Sequence, residues 1–164
     1  MLIRLCKTAL VASIAVFFAL VAFGNITDYQ TNAVFVRHVL AMDSIFPDSH
    51  VHWRAITSPV LVTGAYILII AWEAATAIVL AYATARLLAA SGRGSTAFAV
   101  AKGPAVLGLT MALLLYGLGF SVIGGEWFAM WQSQTWNGLT SAARFILLAG
   151  IVLIVLLLPE PGEA

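Results

Sequence analysis

Residues 59–88 read PVLVTGAYILIIAWEAATAIVLAYATARLL, thirty positions with only two charges, Glu73 and Arg86. A helix that crosses a bilayer needs about 20 predominantly apolar residues. This stretch exceeds that length, so it is expected to tilt or to project beyond the bilayer near Arg86. Pro59 sits where proline is tolerated, in the first turn of a helix. The same criterion finds three further stretches, at 5–24, 104–123 and 142–158, the last ending at Pro159. The first has a basic start, Arg4 and Lys7, and a small-x-small ending at Ala22-Phe23-Gly24. Its apolar run is long for the core of a signal sequence, so it is read as a span. The expected fold is all-α, a single membrane domain over 1–164 built as a four-helix bundle.

Composition agrees with that reading. Of 164 residues, 62% are hydrophobic and 9% are charged, against about a quarter charged in soluble domains. The mean hydropathy is +1.02. So few charges cannot cover the apolar surface of a water-soluble fold, so the lipid bilayer is the expected partner. A net charge of +1 leaves no footprint for nucleic acid. The single cysteine, Cys6, permits no internal disulfide.

Orientation is read from lysine and arginine in the short connections. With the N-terminus inside, Arg4, Lys7, Arg86, Arg93 and Lys102 fall on the cytoplasmic side, and Arg37, Arg54 and Arg144 outside. Five against three places both termini in the cytoplasm. The cytoplasmic loop 89–103 is Ser/Gly-rich and reads as a linker. The acidic residues of the tail, Glu160 and Glu163, have little bearing on orientation. No convincing internal repeat supports a transporter of the inverted-repeat kind.

The polar residues concentrate in the exterior segments 25–58 and 124–141. These hold His38, His50 and His52, together with Asp28, Asp43, Asp48, Glu126 and four of the five tryptophans. Two short interfacial helices are expected there. One is capped by Thr31-Asn32 and runs through Met42, with Phe35, Val36, Val39 and Leu40 on one face. The other follows a turn at Gly124-Gly125 and runs from Glu126 to Trp136, with Trp127, Met130 and Trp131 on one face. Glu126 in its first turn would suit the helix dipole. Tryptophans at this level read as an interfacial belt, with a ligand-binding aromatic floor as the alternative. His50-x-His52 is too common a pattern to define a metal site, and no metal or cofactor is expected. The sequon Asn25-Ile26-Thr27 is read as chance. The candidate binding cap is Asp28, His38, Asp43, Arg54, Glu126, Trp127, Trp131 and Arg144. Opposite charges there are expected to lock the two exterior segments together more readily than to do chemistry.

Glu73 stands inside the second span, about 20 Å along the helix from its outer end. A charge at the bilayer centre costs about 2.5–3.5 kcal/mol on insertion scales. The expected partners are hydroxyls at similar depth: Thr110 and Tyr116, with Ser13 and Thr76. Small residues at 71, 75, 77, 81 and 85, and at Gly108 and Ala112, suggest close helix packing.

Several of these motifs also resemble a known family. Asn25-Ile26-Thr27-Asp28-Tyr29, His38-Val39-Leu40-Ala41-Met42-Asp43, Trp53-Arg54-Ala55-Ile56 and Trp72-Glu73 carry the resemblance. So do Gly124-Gly125-Glu126-Trp127-Phe128-Ala129-Met130-Trp131, Trp136-Asn137-Gly138 and Arg144-Phe145. Together they are similar to the bacterial "predicted small integral membrane protein" family, a group of unknown function. The resemblance covers nearly the whole chain. It implies a bacterial inner membrane location and transfers no catalytic residue.

Three functions follow from the pattern. The favoured one is a non-enzymatic accessory or binding protein whose exterior cap meets a membrane protein partner or an amphiphilic ligand. The alternatives are a small transporter or proton-linked carrier using Glu73, and a membrane enzyme with its site in the exterior loops. The sequence sets no oligomeric state.

Overall fold

Residues 1–160 are described by a computed structural model. Glu163 of the acidic tail lies outside the described residues. The helices are α1 (Leu2–Thr27), α2 (Tyr29–Ala41), α3 (Pro59–Ala90), α4 (Ser95–Ala101), α5 (Gly103–Leu113) and α6 (Leu139–Leu157). A π-helix, Leu114–Trp127, continues α5 without a break. Four helical stretches are long and apolar enough to cross a membrane: Leu2–Thr27, Pro59–Ala90, Ser95–Trp127 and Leu139–Leu157. Among the described residues there is no strand.

The surface identifies the solvent. Leu20, Ile78 and Ile154 are 64%, 70% and 64% exposed. Each exposed apolar Å² would forgo about 25 cal/mol in water, whereas hydrocarbon accepts it. Helix association in lipid then rests on packing and interhelical hydrogen bonds. The seam of α3 shows this. Its buried residues include Tyr66, Glu73, Leu80 and Leu87, and also Thr76, Ala83 and Ala90, each set at intervals of seven. In α1 the buried residues Val11, Phe18 and Asn25, and Thr8, Ala15 and Ala22, repeat in the same way. A seven-residue repeat is the spacing of knobs-into-holes packing, and α1 packs chiefly on α3. α3 in turn packs on α5, and α5 on α6.

This seam differs from the expected stripe of small residues. Ala71, Ala75, Ala81 and Ala85 are exposed, and only Ala77 of that series is buried. Gly108 is at the interface: a Cβ there would stand 2.6 Å from Leu80 Cδ2.

Two local expectations are corrected. First, α2 begins at Tyr29, and its N-cap is Asp28, not Thr31-Asn32. Asp28 leaves helical geometry (φ −121, ψ 57) and breaks α1 from α2 at one residue. The Thr31 hydroxyl donates to Asp28 Oδ2 at 2.8 Å. Second, Gly124 and Gly125 form no turn, and no helix runs from Glu126 to Trp136. Both glycines are buried inside the π-helix. A Cβ on Gly125 would lie 3.0 Å from Leu139 Cδ2, and one on Gly124 3.4 Å from Met130 Cε. Glycine serves close approach here. Glu126 therefore lies in the last turn of a helix, away from any N-terminal dipole. Beyond it come a left-handed residue, Ala129 (φ 51), and a 3₁₀ turn, Met130–Gln132.

The start of α1 and the end of α6 meet. Lys7 Nζ donates to Glu160 Oε1 at 2.7 Å and to the Leu158 carbonyl at 2.6 Å. Lys102 Nζ reaches the same carboxylate at 3.0 Å, and Arg4 lies 3.6 Å from it. The Glu160 side chain is fully buried in this clamp. Burial pushes its carboxyl up, but hydrogen bonds from Lys7 and Lys102 and their charges outweigh that and hold it below the usual carboxylate range.

Candidate functional site

At the opposite end of the bundle, the two connecting segments fold into one cap with its own apolar core. Val39, Met42, Ile45, Phe128, Ala129 and Met130 are buried together there. Met42 takes the left-handed conformation (φ 52, ψ 30) that ends α2 and turns the chain back on itself. The segments are joined by hydrogen bonds. Ser44 Oγ donates to Ser133 Oγ at 2.8 Å, the Phe46 N–H to Gln132 Oε1 at 3.1 Å, and Arg54 Nη1 to the Trp127 carbonyl at 3.2 Å. Among the described residues no ion pair links the two segments, so the expected lock of opposite charges is replaced by hydrogen bonds over an apolar core.

The cap residues expected to act together fall into separate groups. His38 Nδ1 lies 2.7 Å from Asp43 Oδ2, and its ring stacks on Trp136 at 4.5 Å between centroids. Arg54 packs against two indoles, 4.7 Å from the Trp127 ring and 5.4 Å from Trp53. Trp131 meets Phe46 edge-on instead. Asp28 is engaged by Thr31, Arg144 lies over Phe145, and Glu126 is exposed. No hydrogen bond or ion pair among the described residues joins these groups. His52 Nε2 pairs with the Phe46 carbonyl at 3.2 Å. No three His, Cys, Asp or Glu side chains among the described residues gather as metal ligands.

Beneath α2 a groove of about 410 Å³ opens between α2, α3 and the π-helix. α2 contributes Val36, Val39 and Leu40, and α3 contributes Leu68 and Trp72. The π-helix contributes Leu118 and Phe120, and the cap contributes Phe128. Every lining residue is apolar. The one polar atom on Trp72, its indole N–H, donates to the Met111 carbonyl at 3.0 Å. That bond fixes the ring against α5 just before the helix widens. π-Helical geometry is rare, and its single-turn form is frequent at functional sites. The volume falls within the range of small-molecule pockets. Nothing in the sequence pattern marked this groove, because it arises where α2 folds back over the bundle.

Glu73 lies close to the groove but behind its wall, facing α1. Asn25 Nδ2 donates to Glu73 Oε2 at 2.7 Å, and Asn32 Nδ2 donates to Asn25 Oδ1 at 2.6 Å. Tyr66 Oη reaches Asn25 Oδ1 at 3.3 Å. None of the four hydroxyls expected as partners holds Glu73. Thr110 is exposed and bonds its own helix at Val106, Ser13 bonds Leu10, and Thr76 bonds Trp72. Tyr116 is buried among Phe18, Phe120 and Phe145. The missed residue is Asn25, whose heptad spacing from Val11 and Phe18 was the available signal.

No curated protein and no solved structure matches the chain. A family described as "Predicted small integral membrane protein (DUF2165)" matches residues 3–159.

Proposed function

We propose, for a chain that belongs to this family of predicted small integral membrane proteins, that it binds an amphiphile whose apolar part lies in the groove under α2. The observation that carries the reading is the groove itself: about 410 Å³, walled only by apolar side chains and roofed by a helix of the cap. In a multi-pass membrane protein, hydrocarbon is the medium at hand to fill it. The cap above supplies polar and aromatic groups at the level where a head group would sit. The protein then acts as a binding or accessory protein, not as an enzyme, because the cap carboxylates, imidazoles and guanidinia do not converge on one reacting point.

We read Glu73 as a structural acid. Asn25 is engaged on both sides, so the network joins α1, α2 and α3. We assign the protein to a bacterial inner membrane with both termini in the cytoplasm. The excess of cations at the terminal end of the bundle supports that sidedness.

The test is retention of an amphiphile through detergent purification, read by mass spectrometry of the intact complex. Wild type should carry one bound amphiphile per chain. Ala65→Phe, which fills the groove from its α3 wall, should carry much less. Equal retention by the two proteins would overturn the reading.

A further inference from the structure

Arg54 is a cation with little to hold. Among the described residues no carboxylate lies within 4.0 Å of it, and its one hydrogen bond runs from Nη1 to the Trp127 carbonyl. Its Nε is buried with no hydrogen-bond partner. A guanidinium has five N–H donors in a planar fork, so most of its capacity is unspent within the protein. The indoles of Trp53 and Trp127 flank the charge; both rings are exposed, as is common for tryptophan at a membrane interface.

Its position ties it to the groove. Trp127, whose carbonyl it holds, adjoins groove-lining Phe128. Two residues beyond Arg54, the Ile56 N–H donates to the carbonyl of groove-lining Leu40 at 2.8 Å. Two backbone contacts thus tie the Arg54 segment to the cap-side lining of an apolar slot. An apolar slot with an arginine of unspent donors on its cap side complements a molecule with a hydrocarbon chain and an anionic head. The fork matches phosphate oxygens better than a point charge would.

Resting on the groove reading above, we infer that Arg54 is the head-group site of an anionic glycerophospholipid, its phosphate on the free Nη donors and an acyl chain in the groove. The His38–Asp43 pair does not compete for this role, because its carboxylate already faces its own cation-capable partner.

Native mass spectrometry of the full chain in detergent tests this, with dioleoylphosphatidylglycerol and the phosphate-free dioleoylglycerol titrated separately. Arg54→Gln should weaken binding of the phospholipid about ten-fold and leave dioleoylglycerol binding unchanged. Arg54→Lys, which keeps the charge but not the fork, should restore only part of the loss. Ala65→Phe should weaken both lipids. Unaltered phospholipid binding by Arg54→Gln, with Ala65→Phe still defective, would overturn the head-group assignment and leave the groove reading standing. Failure of wild type to bind either lipid would overturn both. Loss of both lipids in Arg54→Gln would show a structural role for Arg54 and overturn the assignment.

Discussion

Asn25 and Glu73 meet at 2.7 Å, although one lies two residues before the end of α1 and the other fourteen residues after the start of α3. Fourteen residues are about 21 Å of helix. The first turns of α3 therefore overshoot the end of α1, and Tyr66 packs on Tyr29 in that region, 4.7 Å between ring centroids. Depth counted along α3 alone places Glu73 deep in the bundle. Its partner places it at the corner where α1 turns into α2. The pair thus holds the helix that roofs the groove, because Asn32 of α2 completes the same chain of hydrogen bonds.

The unfolding of detergent-solubilised variants should reveal that linkage. Glu73→Gln keeps an acceptor for Asn25 and should cost less than about 1 kcal/mol, near the mean for interhelical hydrogen bonds in membranes. Asn25→Leu strips partners from both Glu73 and Asn32 and should cost about 1–3 kcal/mol. The double variant Asn25→Leu with Glu73→Leu should be less damaged than Asn25→Leu alone, since the stranded acid is gone. An Asn25→Leu protein as stable as wild type would show that the network holds nothing.

The four spans were legible because lipid imposes one simple rule, length times apolarity, and stretches such as 59–88 satisfy it without reference to anything else. The partner of Glu73 was not legible by depth, since α3 and α1 are out of step. It was legible by period, because Asn25 follows Val11 and Phe18 at sevens. The π-helix escaped the reading because Gly124-Gly125 carries the usual signature of a turn, and only the neighbours Leu139 and Met130 reveal that the missing side chains serve close contact. Arg54 and Trp127 were both singled out as cap residues, yet the pairing expected for the arginine was with an opposite charge. Indole faces leave no charge signature in a sequence.

Close approach makes a second prediction. At Gly108 an added Cβ would meet Leu80 Cγ at 2.7 Å and Cδ2 at 2.6 Å, and Leu80 is itself fully buried. Gly108→Ala should therefore destabilise the α3–α5 contact by about 1–3 kcal/mol, the usual penalty of overpacking. Gly64 lies in α3 with nothing within 4 Å of its would-be Cβ. Gly64→Ala should be neutral, or stabilising by about 0.5–1 kcal/mol through helix propensity. Thermal unfolding of the two variants side by side checks the contrast, and equal behaviour would refute the packing assignment.

The terminal clamp should respond to acid. The Glu160 carboxyl titrates below its ordinary value, because Lys7 and Lys102 outweigh the effect of burial. A depressed acid contributes stability that is fully present above the unfolded value, about 4.3, and is lost as pH falls through the lower folded value. Wild type should keep its melting temperature from pH 7 to about pH 5 and then lose the clamp's share. Glu160→Gln should melt lower at pH 7, by up to about 3 kcal/mol of stability, since it leaves the buried Lys7 ammonium with the Leu158 carbonyl but no neutralising charge. The gap between the two proteins should close in acid. A gap that stays constant as acid is added, down to acid unfolding of both proteins, would exclude the carboxylate as its source.

Sidedness provides the last prediction. The Lys7–Glu160 contact puts the start of α1 and the end of α6 at one end of the bundle, and the connection between α3 and α5 lies there too, through Lys102. That end gathers Arg4, Lys7, Arg86, Arg93 and Lys102, while the cap has Arg37, Arg54 and Arg144. Glu160 offsets some of this charge in the folded protein, but carboxylates weigh little in setting orientation, which follows lysine and arginine near the span ends. The terminal end should therefore face the cytoplasm. Cys6 is the chain's one cysteine, so a Cys6→Ser background leaves no thiol, and single cysteines can be placed at the exposed positions His50 in the cap and Arg93 between α3 and α4. A membrane-impermeant maleimide should label His50→Cys on intact spheroplasts and Arg93→Cys only after the membrane is opened. The reverse pattern would turn the bundle over, and the groove would then draw its amphiphile from the cytoplasmic leaflet.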